Sequence, residues 1–177
     1  MSQTTHVTAL CDGAKNCWSV IDALKPLCGS VTCILDWFHI AMKMQNISLP
    51  ESLKNKFMSV KWHLWRGNVA HALKRLSELE KEAKTEKNID KINKFHTYIS
   101  NNSARITNYR ERQKLGKVFT SNLAESTVES LINQRCKGQQ HMRWSRDGLN
   151  PLLQLRATLN STGEWQNKWR TAILNAN

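Results

Sequence analysis

Acidic residues are scarce in this 177-residue sequence, which has 14 Asp and Glu residues against 26 Lys and Arg residues. The formal charge of +12 at pH 7 favours attraction to a polyanion such as a nucleic acid. The chain also lacks an apolar run of roughly 18 residues, which a membrane-spanning helix needs, and its first residues do not form a signal-peptide pattern. We therefore expect a soluble cytoplasmic protein without a membrane partner.

Paired cysteine motifs are missing as well. The chain has five cysteines, an odd number, and none of them forms the C-x-x-C pair that is typical of zinc sites and redox motifs. In a reducing compartment, cysteines without such partners are usually small hydrophobic side chains of the core. We expect this of Cys11, Cys17, Cys28, Cys33 and Cys136.

Two short apolar runs near the start of the chain each end in an aspartate. Residues 6–11 precede Asp12, residues 30–35 precede Asp36, and a helical pattern follows each aspartate. A strand–helix–strand–helix unit makes a parallel pair, whose carboxyl ends lie at the same edge of the sheet. Ligands of open α/β sheets bind at that edge. The two carboxylates, 24 positions apart in sequence, are therefore predicted to lie beside each other.

The two short helices of this unit have apolar faces that can be read from helical spacing. The first helix is predicted over about residues 16–27 and the second over about residues 37–45. The residues on these faces are Cys17, Val20, Ile21 and Leu24 in the first helix and Phe38, Ala41 and Met42 in the second.

Three segments divide the chain by composition. Residues 1–47 form the strand–helix unit and have three basic and three acidic residues. Residues 48–118 show no strand pattern, and apolar repeats around a turn at Gly67 predict a helical insertion, with sixteen basic against seven acidic residues. Residues 119–177 are predicted to be C-terminal helices that complete the core, with seven basic against four acidic residues. The predicted fold class is therefore α/β and predominantly helical.

Asp12 and Asp36 each have two interpretations. An aspartate after a strand is commonly the N-cap of the following helix. Two carboxylates at one sheet edge also repel each other, and a divalent cation that holds both relieves the repulsion. An oxygen-rich site of this kind suits Mg²⁺ or Mn²⁺ better than zinc. The residue pattern leaves both interpretations open.

Glu125 and His39 are further candidates. Glu125 lies three residues after Asn122, so a capping box explains it, but it also borders the apolar face of its helix and could reach the sheet edge. His39 lies one helical turn after Asp36 and has no Cys or His partners at zinc spacing. It is either a half-buried histidine or a residue that positions DNA or a carboxylate.

Tryptophan is frequent, with seven residues against two tyrosines. Trp62 and Trp65 lie in the basic insertion, and Trp144 lies close to two arginines. Aromatic side chains among cations suit contact with bases and the sugar–phosphate backbone, although core packing is the alternative for each. The candidate DNA-binding residues are Lys54, Lys61, Arg66, Lys74, Arg75, Arg143, Trp144 and Arg146.

Five short motifs together resemble bacterial insertion-sequence transposases of the DDE type, and among these the ISKra-type group. The motifs are DGA at 12–14, LDWFH at 35–39, SNLAES at 121–126, QHMRWS at 140–145 and LLQLR at 152–156. A single motif such as DGA is weak, whereas the order and spacing of all five around a helical insertion are specific. The resemblance covers nearly the whole chain.

The resemblance implies an RNase H-like catalytic core with a helical insertion, and DNA transposition by two-metal phosphoryl transfer with Mg²⁺ or Mn²⁺. It implies that Asp12 is the second acidic residue of the catalytic site, that Glu125 is the third, and that both bind metal. Asp36 and His39 match the supporting Asp-x-x-His signature of the family. The basic insertion would then bind transposon-end DNA.

The chain departs from the family at the first catalytic aspartate. The family carries that residue on an earlier strand, but the eleven residues before Asp12 contain no acidic residue. We therefore expect the C-terminal part of a transposase that starts at an internal Met, binds Mg²⁺ weakly and is inactive alone. Such a chain could form a homo-oligomer or pair with a full-length transposase. The alternatives are a non-catalytic DNA-binding regulator and a helical module that binds RNA or protein.

Overall fold

The computed structural model describes residues 4–133, 136–137 and 144–160 and the single positions 163, 167 and 171, with the backbone alone at 146, 159 and 160. The chain divides into two compact units, Met1–Ser121 and Asn122–Asn177. The described residues are mostly helical and include two parallel strands, which confirms the predicted α/β class at that level.

The first unit starts with a parallel pair of strands. β1 is His6–Cys11 and β2 is Ser30–Leu35, and in the part of the chain that the structure describes these two strands form the sheet. They are joined by α1, Lys15–Leu24, and a 3₁₀ turn at Lys25–Leu27. Pro26 suits the start of that turn because its φ is already fixed near the helical value.

The helix α2, Trp37–Gln45, begins directly after β2. Three longer helices follow within residues 48–118, where the sequence predicted helices, namely α3 at Glu51–Trp65, α4 at Val69–Glu82 and α5 at Glu86–Asn101. Each of them buries an apolar face. The buried residues are Leu53, Phe57, Val60 and Leu64 in α3, Ala72, Leu76 and Leu79 in α4, and Ile92, Phe95 and Ile99 in α5.

The turn between α3 and α4 depends on Gly67, as predicted. Its φ is +75°, a conformation that other residues adopt only with strain. A Cβ at this position would also lie 3.0 Å from the backbone nitrogen of Asn108. After α5 the chain forms a 3₁₀ turn at Ser103–Arg105 and the short helix α6 at Tyr109–Lys114. This close approach therefore packs the α3–α4 turn directly against the segment that leads into α6.

One hydrophobic core joins the strand pair to these helices. Ile34 of β2 and Ile40 and Met44 of α2 belong to the same cluster of buried residues as the apolar faces of α3, α4 and α5. The helices therefore bury apolar surface of the sheet, which a strand pair cannot do alone. The predicted segments 1–47 and 48–118 share this core, and their division into separate domains stays a prediction.

The predicted apolar face of α1 is partly wrong. Val20 is 64% exposed, whereas Trp18 is buried together with Ile21. Trp18 has the larger apolar surface, and its indole N–H donates to Oδ1 of Asn102 at 3.1 Å. Burying this side chain is favourable because both its apolar body and its polar atom find partners.

The predicted face of α2 needs the same kind of correction. Met42 is 42% exposed, and Phe38 and Ala41 are only partly buried. The buried residues are Ile40 and Met44, which lie one turn apart. The side of α2 that faces inward is set by the helices packed against it, and its own short sequence is apolar on several sides.

The second unit contains α7 at Asn122–Val128, a π-helical turn at Glu129–Asn133 and α8 at Arg146–Asn160. α7 begins at the residue where the sequence predicted a new helix. Within this unit, Arg156 donates from Nε to the carbonyl of Leu131 at 2.9 Å and from Nη2 to the carbonyl of Ser130 at 2.7 Å. These bonds join α8 to the π-helical turn.

The cysteines follow the prediction in part. None of the five forms a disulfide; Cys28 is buried and the others are partly buried, with Cys11 and Cys33 packed against the core. Burial raises the pKa of the Cys11 thiol to about 11, with smaller contributions from Cys17 and Asp12, so this thiol stays protonated at neutral pH. Among the helices that the structure describes, none is both long enough and apolar enough to cross a membrane.

Candidate functional site

Asp12 and Asp36 follow the ends of neighbouring strands. Cys11, the last residue of β1, lies opposite Leu35, the last residue of β2. The backbone N–H of Asp36 donates to the carbonyl of Cys11 at 2.8 Å, so the pairing continues to the aspartate itself. The structure therefore brings the two residues together at the carboxyl edge of the sheet, as the strand pattern predicted.

Asp36 is buried, with 1% of its surface exposed, and both of its carboxylate oxygens are occupied. Oδ1 accepts from the backbone N–H groups of Phe38 at 3.2 Å and Ser121 at 2.9 Å. Oδ2 accepts from the Ser121 hydroxyl at 2.5 Å and lies 2.7 Å from Nδ1 of His39. The bond from Phe38 is an N-cap of α2. Two of the other contacts come from Ser121, which is distant in the sequence, and the third comes from His39, one turn further along α2.

His39 lies within hydrogen-bond distance of Asp36, so the two residues of the Asp-x-x-His motif are in direct contact. The geometry fits an Nδ1–H group that donates to the carboxylate, which fixes the orientation of the imidazole ring. The His39 side chain is 32% exposed, in contrast to the buried carboxylate. Its position is thus that of a half-buried histidine held by a carboxylate.

Asp12 is arranged differently from Asp36. It is partly buried, and its Oδ1 accepts from the backbone N–H of Ala14 at 2.9 Å. Among the described residues no donor reaches the other oxygen, Oδ2. Between these two residues Gly13 has a φ of +96°, which the tight turn after β1 requires. Asp12 therefore offers an unoccupied carboxylate oxygen at the sheet edge.

The two tyrosines support this edge from the helical side. The Tyr98 hydroxyl donates to the carbonyl of Asp12 at 2.8 Å, and the Tyr109 hydroxyl donates to the carbonyl of Leu35 at 2.7 Å. Burial raises the pKa of both phenols, and the negative charges of the aspartates raise the pKa of Tyr98 further, so both stay protonated donors. The sequence analysis did not predict this role of the tyrosines, because both contacts join residues that are far apart in the sequence.

Trp65, for which the sequence left contact with nucleic acid and core packing open, packs against aromatic residues near the carboxyl edge of the sheet. Its ring lies 4.8 Å from Trp37, 5.5 Å from Phe119 and 6.2 Å from Tyr109, measured between centroids. It is therefore a packing residue. Trp62, by contrast, is 55% exposed.

The predicted DNA-binding residues of the insertion lie on α3, α4 and their turn. Lys54 pairs with Glu51 at 3.3 Å and Arg75 pairs with Glu78 at 2.9 Å, in both cases at the surface. Such exposed pairs are weak and can be exchanged for other anions. Arg66 and Lys74 are exposed and Lys61 is partly exposed. Among the described residues, none of these three pairs with a carboxylate.

The exposed side of α3 combines cations with apolar side chains. Met58 is 42% exposed and Trp62 is 55% exposed, and both lie between Lys54 and Arg66 along the helix. Nearby, the ring of His63 stacks on that of His71 with centroids 5.7 Å apart. Burial lowers the pKa of His63, and His71, Arg75 and Arg66 lower it further, which indicates a positive local field.

Three predicted residues lie outside this surface. Arg143 lies outside the described residues, and only the backbone of Arg146 is described. Trp144 is partly buried, and its indole nitrogen is buried without an acceptor in the described part of the chain. Their predicted contact with DNA stays a prediction.

Glu125 lies in the first turn of α7, in the second unit, and is exposed. Its approach to Asp12 stays a prediction from the sequence. Within the residues that the structure describes, no group of three or more His, Cys, Asp and Glu side chains is gathered closely enough to hold a metal ion.

The fold and site define a helical α/β protein with an acidic pair at one edge of a parallel strand pair. Residues 7–171 match the model of the uncharacterised protein family UPF0236, and the chain belongs to this family. The match spans Asp12, Asp36, His39 and Glu125. No curated protein and no solved structure matches the chain.

Proposed function

We propose that this chain contributes part of the catalytic core of a DDE-type transposase and binds DNA through its basic helices. The observation that carries the proposal is the position of Asp12 and Asp36 after two parallel strands that end in register. The contact between Asp36 and His39 supports it, because it joins the two polar residues of the Asp-x-x-His motif. In this proposal the strand pair belongs to an RNase H-like sheet and residues 48–118 are its helical insertion.

The residues at the edge differ in how well they suit Mg²⁺ or Mn²⁺. Asp36 does not suit a metal, because protein donors occupy both of its oxygens. Asp12 does, since its Oδ2 is free of described donors and Mg²⁺ is often held by one or two carboxylates together with water and phosphate oxygens. We propose Asp12 and Glu125 as the ligands. In the two-metal chemistry that the resemblance implies, one cation would activate a hydroxyl nucleophile and a second would stabilise the leaving oxygen of phosphoryl transfer.

Asp36 acts in this proposal as a positioning residue. It holds the start of α2, the His39 ring and Ser121 at one point. Ser121 is the last residue of the first unit, so Asp36 fixes the place where the chain leaves that unit, four residues before Glu125. Its contribution is to the geometry of the site.

The proposed activity needs more acidic residues than Asp12 and Glu125. The resemblance implies three catalytic carboxylates, of which Asp12 and Glu125 are two. We propose that a full-length transposase supplies the third and that this chain does not cut DNA without it. The five cysteines, none of which forms a disulfide, fit the reducing cytoplasm, where we propose that the chain acts.

The surface proposed for DNA is the exposed side of α3 with the α3–α4 turn. Lys61 and Arg66 supply charge for phosphate groups, and Trp62 lies between them with half of its surface available for contact with sugars or bases. Cations beside an exposed aromatic ring are the usual composition of a surface that binds nucleic acid strands.

We expect the paired substitution Lys61→Met with Arg66→Met to weaken binding of a fluorescent DNA duplex by about tenfold or more at moderate salt. Loss of two phosphate contacts should also reduce the slope of log affinity against log salt by about two. Fluorescence anisotropy at several salt concentrations measures both quantities.

The matched control is Lys84→Met with Lys87→Met, which removes the same charge at the other end of α4. These lysines lie beside the α4–α5 connection and are exposed. The 14 residues of α4 separate Arg66 at the α3–α4 turn from these lysines by about 20 Å. If both double variants lose affinity equally, the attraction depends on net charge alone and the proposed surface is wrong.

A non-catalytic DNA-binding regulator is the second candidate. Asp36 favours this candidate. Both of its carboxylate oxygens are engaged by protein groups of His39 and Ser121, so the carboxylate is not available to a metal ion or a substrate. Both candidates use the α3 surface. They differ in whether a divalent cation binds at Asp12.

A further inference from the structure

A cavity beside Gly13 is lined by residues that the proposal above does not use as ligands. Its volume is about 540 Å³. It lies between α1 and the end of α5, entirely within the first unit. The residues that shape the argument are Gly13, Lys15, Trp18, Asn101, Asn102 and Arg105.

Arg105 is held in a fixed orientation in this cavity. Its guanidinium carbon lies 4.4 Å from the centroid of the Trp18 ring. Trp18 is in turn fixed by the bond from its indole N–H to Asn102, and Asn102 donates to the carbonyl of Tyr98 at 2.9 Å. Trp18 and Asn102 are both buried. The stack therefore presents the guanidinium with little freedom left to lose on binding.

No hydrogen bond from the Arg105 guanidinium is found among the described residues. A cation–π stack on Trp18 leaves the N–H groups at the rim of the guanidinium plane available to a ligand. A second cation, Lys15, lines the same cavity and likewise has no carboxylate partner in the described part of the chain.

The cavity lining also includes a carboxylate, Asp22, which is exposed and pairs with Lys25 at 2.7 Å. The hydrogen bond and the charge of Lys25 lower the pKa of Asp22 most, and the charge of Arg105 lowers it further. The lining thus has two cations, Lys15 and Arg105, against one carboxylate that is also paired with Lys25. A cavity with this excess of positive charge and the exposed amide of Asn101 is suited to an oxyanion.

We propose that this cavity binds a phosphate group, with Arg105 as a two-pronged donor and Lys15 as a second positive charge. A planar guanidinium matches two phosphate oxygens at once, and Lys15 can reach a third. The phosphate can belong to a free phosphorylated small molecule or to the backbone of a nucleic acid strand. The proposal is independent of the transposase function, because it uses neither Asp12 nor the α3 surface.

Isothermal titration calorimetry of the full chain with pyrophosphate, in the absence of metal ions, tests this proposal. We expect one-to-one binding that Arg105→Met and Lys15→Met each weaken by about tenfold or more. Arg105→Lys should bind more weakly than the unaltered chain, because it keeps the charge and loses the two-pronged geometry. Lys15 is exposed at the start of α1, so its replacement should leave the fold intact. Lys15→Met can therefore test the proposal even if an Arg105 variant unfolds.

The control is Lys87→Met, which removes one exposed charge far along the sequence from the cavity residues and should leave pyrophosphate affinity unchanged. Competition then separates the two sources of phosphate. Displacement of pyrophosphate by ADP alone assigns the cavity to a small molecule, and displacement by single-stranded DNA assigns it to a nucleic acid strand. Absence of pyrophosphate binding, or equal losses in Lys87→Met and Lys15→Met, would overturn the proposal.

Discussion

Replacing Asp36 by alanine is expected to lower the free energy of unfolding of the first unit by about 3–5 kcal/mol. The substitution removes the acceptor of four donors at once, namely the N–H of Phe38, the N–H and hydroxyl of Ser121, and Nδ1 of His39. Buried donors that lose their partner keep their full desolvation cost, and this makes the effect larger than that of an ordinary hydrogen bond. Urea unfolding followed by circular dichroism measures the change.

Two further variants show whether the charge of Asp36 and its buried position cause the loss of stability. Asp36→Asn keeps the shape of the side chain but turns an NH₂ group toward donors, so it should lose most of the stability that Asp36→Ala loses. Asp90→Ala removes an exposed aspartate of α5 and should leave stability almost unchanged. A loss in Asp36→Ala no larger than that in Asp90→Ala would mean that Asp36 does not hold the edge together.

Gly13→Ala is expected to cost about 2–4 kcal/mol of stability, from two separate causes. The first is the backbone, because a φ of +96° is strained for a residue with a Cβ. The second is space, because the new Cβ would lie 2.9 Å from Nδ2 of Asn102, 2.9 Å from Cε2 of Tyr98 and 3.1 Å from Cδ1 of Leu35. Two of these three side chains, Tyr98 and Asn102, are held by hydrogen bonds and cannot move away cheaply.

Gly116→Ala isolates the first of these causes. Gly116 also has a positive φ, +62°, but nothing lies within 4 Å of the position of its Cβ. It should therefore lose only about 1 kcal/mol, the usual cost of a left-handed alanine. Thermal melting of the two variants side by side gives the difference. Equal losses would show that the packing around Gly13 is looser than the contacts indicate.

The helical part of the fold could be predicted because its signal is long and regular. Leu53, Phe57, Val60 and Leu64 repeat over four turns of α3, and all four are buried. The faces of α1 and α2 could not be predicted in the same way. Val20 and Met42 fit an apolar pattern as well as their buried neighbours do, and only the elements packed across from a short helix decide which side faces inward.

In the candidate site, too, the features that depend on neighbouring sequence could be predicted, and the contacts between distant residues could not. Two strands joined by one helix are enough to place Asp12 and Asp36 at one edge, and the structure agrees. The occupation of Asp36 by Ser121 could not be predicted, because the two residues are 85 positions apart and the contact leaves no local pattern. Likewise, the role of Tyr98 at the Asp12 carbonyl depends on a contact across 86 positions.

Hydroxyl-radical cleavage with Fe²⁺ in place of Mg²⁺ tests directly whether Asp12 and Glu125 together hold a divalent cation, as we propose, since the radicals cut the backbone close to the bound metal. We expect cuts around residue 12 and within 121–126 of the full chain. Excess Mg²⁺ should suppress these cuts, and they should be lost in Asp12→Asn but kept in Asp22→Asn. Cuts that persist in Asp12→Asn, or the absence of cuts in either segment, would show that the two residues do not share a metal ion.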